Sequence, residues 1–183
     1  MTWLIMGVLL WTAAHLFKRV LPEQRARLGA KGRPLVAVLI ALSVVLMIVG
    51  YRETDAVELY ALPYETRYLN NLLMLVALFL MDAGRVEGVV RTKIRHSMLL
   101  GLVVWAAAHL LVNGNTAALV LFGGLALWAG VQMALINRAE GPWQVPAAGS
   151  LRNDAKIGVL AVVLFAVIAG IHHWLDRPAF VLF

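Results

Sequence analysis

The chain has 183 residues, 62% of them hydrophobic and 14% charged, with a net charge of +6 and no cysteine. A soluble domain needs only roughly half its residues apolar, so this excess excludes a water-soluble globule and points to a single membrane domain over residues 1–183. The missing thiols exclude disulfides, thiolate metal sites and iron–sulfur clusters, and the basic residues lack the aromatic interleaving of a nucleic-acid groove.

Six apolar segments follow in order: Thr2–Phe17, Leu35–Tyr51, Leu69–Met81, Met98–Val112, Thr116–Ile136 and Ile157–Trp174. The runs are continuous rather than alternating, which predicts helices and excludes a β-barrel. The expected fold is all-α, a polytopic membrane helical bundle of about six transmembrane helices. Several runs are short for a hydrocarbon core that needs ~20 helical residues, so flanking residues must extend them. The first run reads as a retained span rather than a signal peptide. Its positive charge follows it, and no small-x-small cleavage site is evident.

The loops set the topology. Lys18, Arg19, Arg25, Arg27, Lys31 and Arg33 follow the first span. Arg85, Arg91, Lys93 and Arg95 precede the fourth, and Arg138, Arg152 and Lys156 lie between the fifth and sixth. These are all but Arg52, Arg67 and Arg177 of the 16 Lys and Arg residues. The positive-inside rule therefore puts these loops in the cytoplasm and both termini outside. The basic segment Leu21–Pro34 suits anionic headgroups. The acidic segment Tyr51–Tyr68, with Tyr51, Tyr60, Tyr64 and Tyr68, suits an interfacial tyrosine belt; a lid over a site is its other reading.

One string occurs twice. Gly7–Leu16 reads GVLLWTAAHL and Gly101–Leu110 reads GLVVWAAAHL. Gly7, Trp11 and His15 are spaced i, i+4, i+8, as are Gly101, Trp105 and His109, so each trio forms a stripe on one helix face. A repeat of spans one to three in spans four to six would be inverted, because three is odd. Leu78-Phe79 and Ala83-Gly84 match Leu164-Phe165 and Ala169-Gly170 at equal spacing, which supports this 3+3 repeat.

Histidine is expensive in hydrocarbon, and an intramembrane histidine is either a satisfied core residue, a proton relay or a ligand. Two in the same context favour a shared ligand. His15 and His109 differ in depth by on the order of 12 Å at their Cα atoms. Helical side chains lean toward the helix N-terminus, however, which brings both imidazoles toward the midplane. The depth-matched alternatives pair His15 with His96, and His109 with His172 or His173, one haem at each face. They are disfavoured because His96 and His109 stand roughly 140° apart around one helix. Apart from Asp82, the apolar runs offer no carboxylate to complete a zinc or di-iron site. A porphyrin brings four nitrogens and needs only one or two axial histidines. Gly7, Ala13, Ala14, Gly101 and Ala106–Ala108 leave slot-like space for it, although small residues also simply let membrane helices approach. Trp11 and Trp105 are placed to stack on the macrocycle or donate to a propionate.

The segment Arg91–Gly114, RTKIRHSMLLGLVVWAAAHLLVNG, followed by Leu121–Gly123, resembles the NnrU family of bacterial membrane proteins, in the superfamily of plant zeta-carotene isomerase. The resemblance implies haem b with iron held by His15 and His109. It implies an inner-membrane location with periplasmic termini. It also implies one of two roles. One is cis-trans isomerisation of a lipophilic polyene-like substrate. The other is that of a haem-based redox or nitric-oxide-linked accessory protein of denitrification, working with a redox partner. Arg95 and His96 would either bind haem propionates or cap the fourth span. Ser97 replaces a usual Pro, and Asn115 a common Asp. Ala106 stands where the plant enzyme has a Cys that can compete for iron, so a Cys-to-His ligand switch is unavailable.

Overall fold

The computed structural model describes residues 1–175; Arg177, used above for topology, lies outside them. The chain forms α1 (Thr2–Val20), a short α2 (Pro22–Arg27) opened by Pro at its first position, α3 (Gly32–Glu53), α4 (Thr66–Ala83) and α5 (Ser97–Val112). Next come α6 (Thr116–Ala118), a π-helical turn (Leu119–Gly123) and α7 (Gly124–Glu140), which run on as one helical rod, and finally α8 (Leu151–Trp174). Each predicted apolar segment lies inside one of these helical runs, and the runs extend beyond it at one or both ends. The spans over 2–20, 29–53, 116–140 and 151–174 are long and apolar enough to cross a membrane. At 16 residues, α5 is shorter, and α4 carries Arg67, Asn70, Asn71 and Asp82 among its apolar residues. Leu9, Val38, Leu72, Leu127 and Val159 are more than half exposed, as a lipid-facing surface requires.

Local chemistry explains several helix ends. The Asn115 side-chain oxygen accepts from the Ala118 amide at 2.9 Å and starts α6. The Ser150 hydroxyl accepts from Arg152 N at 3.1 Å and starts α8. Gly141, with φ +70°, ends α7 in a backbone region that side-chain-bearing residues avoid. Ser97 tolerates the place of the expected Pro because the His96 carbonyl still takes the first intrahelical bond, from Leu100 N at 2.8 Å.

The chain divides into two compact units. The first comprises Met1–Tyr60 and Gly114–Gly141, the second Ala61–Asn113 and the chain from Pro142 onward. In the first, α1 packs along α3. A Cβ on Gly7 would meet Met47 N at 2.7 Å, so only glycine permits this approach. Ser43 at the same crossing is fully buried and donates to Ile40 O at 2.6 Å. Arg19 reaches Glu140 at 2.7 Å, so α1 and α7 run in the same direction. The tyrosine-bearing loop is fastened to the start of α6. Gly114 O accepts from Leu59 N and Tyr60 N at 2.7 and 3.0 Å, and Thr116 N donates to Val57 O at 3.0 Å.

In the second unit α5 packs along α4, and a Cβ on Gly101 would meet Ala77 O at 2.8 Å. Met74, Ala108 and Ala169 of α4, α5 and α8 bury together, with Leu73, Trp105, Phe165 and Ile168 around them. The two basic loops of this unit are tied by Asp154, which is 7% exposed and accepts from Val89 N at 2.7 Å and Val90 N at 3.4 Å. Asn153 Nδ2 and Ser150 N both donate to Glu87 O, at 3.0 and 2.9 Å.

The helices do not group as a first three and a last three, the division a consecutive 3+3 repeat suggests. The Gly–Trp–His helix α1 takes the helix after it as its close neighbour, and α5 takes the helix before it. The physical determinant is the small-residue crossing. Gly7 and Gly101 occupy equivalent places in the repeat, and each lies against the backbone of that neighbour.

Candidate functional site

The repeated histidines adopt the same local geometry. His15 Nδ1 lies 2.9 Å from Trp11 O, and His109 Nδ1 lies 2.9 Å from Trp105 O. A carbonyl only accepts, so each Nδ1 carries the ring proton and donates it. Nε2 is then the nitrogen with the lone pair. Metal-ligating histidines are commonly held by this kind of outer hydrogen bond, which fixes tautomer and ring orientation. The indole one turn earlier lies beside the imidazole in both cases. The Trp11 and His15 centroids are 4.1 Å apart at 35°, and those of Trp105 and His109 are 4.5 Å apart at 51°.

The neighbours then diverge. In the first unit Trp128 of α7 meets His15 at 4.8 Å and 62°, and Trp11 at 5.5 Å and 83°. Trp128 is 6% exposed. The indole nitrogens of Trp11 and Trp128, and Oε1 of Gln132 one turn beyond Trp128, are buried without a hydrogen-bond partner. In the second unit the neighbour is another imidazole. His172 and His109 interact electrostatically, and His172 Nδ1 donates to Ile168 O at 2.8 Å, the same arrangement a third time. Of the two adjacent histidines at the end of α8, His172 is the one drawn in, while His173 is exposed.

Arg95 and His96 are half-buried at the start of α5. At ~1.5 Å per residue, their backbone lies about 20 Å along that helix from His109. The structure does not bring them to the ring nitrogens of His109. Sequence reasoning missed Trp128 and Gln132. Their i, i+4 spacing in the fifth span was visible, but no second copy of it drew attention.

The donor set suits a group that brings most of its own ligands. Among the described residues, no three His, Cys, Asp or Glu side chains cluster to hold a bare metal ion. The unpaired indole donors of Trp11 and Trp128, beside an imidazole anchored at Nδ1, fit a macrocycle with polar substituents.

No curated protein and no solved structure matches the chain significantly. The family model described as NnrU protein matches residues 3–178. A match over nearly the whole length, together with apolar helices suited to a bilayer, shows that this chain belongs to the NnrU family of membrane proteins.

Proposed function

We propose that the protein is a haem b-binding membrane protein, in which His15 and His109 would hold the iron. The observation that carries this reading is the repeated Gly–Trp–His stripe, in which each Nδ1 is tied to the carbonyl one turn back, the outer hydrogen bond that ligating histidines commonly make. Trp11 and Trp105 would flank the macrocycle. Arg95 and His96 would serve anionic groups at the cytoplasmic end of α5. The distribution of Lys and Arg supports an inner-membrane topology with periplasmic termini.

Haem iron would supply a redox-tunable Lewis-acid centre. The reading taken furthest is redox-neutral double-bond isomerisation of a lipophilic polyene-like substrate, for which that centre would supply the Lewis acid. A second reading is electron transfer or nitric-oxide response in an accessory protein. It is favoured by the two backbone-anchored imidazoles, whose fixed tautomer and ring orientation suit a group that would be held rather than released.

The test is the absorption spectrum of the detergent-purified protein, oxidised and reduced, beside His15→Ala and His109→Ala. The expected result is a low-spin bis-histidine b-type spectrum in the parent and loss of haem or of low-spin character in each variant. Haem retained unchanged in both variants overturns the pairing. Low-spin haem kept in His15→Ala but lost in His172→Ala would transfer the ligand role to His109 with His172. Carbon monoxide displacing a histidine from reduced iron supports isomerisation; resistance to it supports the accessory role.

A further inference from the structure

The first unit buries more hydrogen-bonding capacity than it uses. Trp11 Nε1 and Trp128 Nε1 are two N–H donors without an acceptor, and Gln132 Oε1 is an acceptor without a donor. The rings of Trp11 and Trp128 meet edge to face, so at most one indole N–H can point into the other's π face. At least one remains unsatisfied, at a depth where no bulk water compensates it. Buried polar groups in folded proteins are almost always paired, and exceptions call for a missing partner.

The backbone sets Trp128 and Gln132 one turn apart on one face of α7. The π-helical turn Leu119–Gly123 immediately precedes α7. A π turn holds one residue more than an α turn, so it rotates everything after it by about 100° relative to an uninterrupted α-helix. Trp128 and Gln132 follow that rotation, and Trp128 ends against Trp11 and His15. Turns of this kind recur at functional sites. Arg19, the cation one turn beyond His15, is already paired with Glu140 and does not neutralise the cluster.

From this we infer that Trp11, Trp128 and Gln132 form a carboxyl-binding site beside His15. Two indole N–H groups donate to the carboxyl oxygens, and the Gln132 carbonyl accepts from its acid proton. The inference rests on the haem reading above, since the carboxyl group in question is a haem propionate. It adds Trp128 and Gln132 of α7 as residues that position the macrocycle without touching the iron.

The experiment is reconstitution of the full-length apoprotein in detergent with haem b and, separately, with haem b dimethyl ester, each titrated through its Soret band. The parent is expected to bind haem b about 10- to 100-fold more tightly than the diester, the loss following from donors left unpaired. In Trp128→Phe and in Gln132→Leu the haem b affinity should fall toward that of the diester, while diester affinity holds. Constant diester affinity also shows that each variant is folded, and Gln132→Leu keeps the test open if Trp128→Phe unfolds. Equal binding of haem b and the diester by the parent overturns the inference and assigns the orphaned donors to a buried water. An undiminished preference for haem b in both variants overturns it too, by placing the propionates elsewhere. If the parent binds neither porphyrin, the haem reading itself fails and this inference falls with it.

Discussion

His15 and His109 sit in nearly the same ten-residue string, share the same Nδ1-to-carbonyl bond, and yet live in different company. His15 lies against two indoles, those of Trp11 and Trp128. His109 lies beside Trp105 and interacts electrostatically with a second imidazole, His172. The difference teaches that local sequence prepares a nitrogen, whereas the third helix of each unit decides what that nitrogen works with. The third helix is α7 in one unit and α8 in the other, and the two have nothing in common beyond apolarity. An indole offers one donor and no acceptor, while an imidazole offers both and can itself be a ligand. The two units are therefore chemically unequal, although each carries the same Gly–Trp–His spacing.

The largest expected effects test what the two units share. Gly7→Leu and Gly101→Leu should each cost about 3 kcal/mol, because each new side chain meets the backbone of the adjoining helix. Both should lower the thermal midpoint in detergent by similar amounts; a large loss at only one would end the equivalence of the two crossings. Next comes a change confined to the second unit. Asp154→Ala removes the acceptor for Val89 N and Val90 N and should cost about 2 kcal/mol. The chain has no native cysteine, so Ala108→Cys and Ala129→Cys, at fully buried positions in the two units, can report on each separately. Thiol labelling should accelerate at position 108 and not at 129. Asn115→Ala acts on the first unit through the lost cap of α6 and should cost about 1 kcal/mol, while Asn115→Asp should be nearly neutral because both side chains cap well. The smallest effect is Arg19→Gln. Its ion pair with Glu140 is partly exposed, so the loss should stay below about 1 kcal/mol and shrink further in high salt.

Much of the helical framework was legible because hydrocarbon imposes length and continuity on a span. All six apolar runs fall within helices, and in four of them the helix is long and apolar enough to cross a membrane. The glycine stripe was legible as well, since Gly7 and Gly101 are where the backbones meet. Neighbour choice was not. Helices such as α5 are apolar on every side, so no hydrophobic face marks which neighbour is preferred, and packing detail decides instead. That is why the pairing of α1 with α3 and of α5 with α4 could not be read, and why a division into consecutive halves looked natural. Trp128 and Gln132 were hidden for a related reason. A lone Trp in a span reads as an interface anchor, and nothing in a string of letters announces the wide turn that re-aims it. The choice between His172 and His173 turned on helical phase at the very end of α8, where one residue changes the face by about 100°.

The way the two units interleave along the chain has a consequence for synthesis. The first unit begins at Met1 but is completed only by Gly114–Gly141, and the second begins at Ala61 and still needs α8. At bacterial elongation rates of about 5 to 20 residues per second, α1 and α3 wait on the order of 10 s in the membrane before α7 emerges. During that time the face of α1 that holds Trp11 and His15 meets lipid or insertion machinery instead of Trp128. Neither unit can finish before synthesis has entered the last third of the protein, so a ribosome that stalls after α5 leaves both incomplete at once.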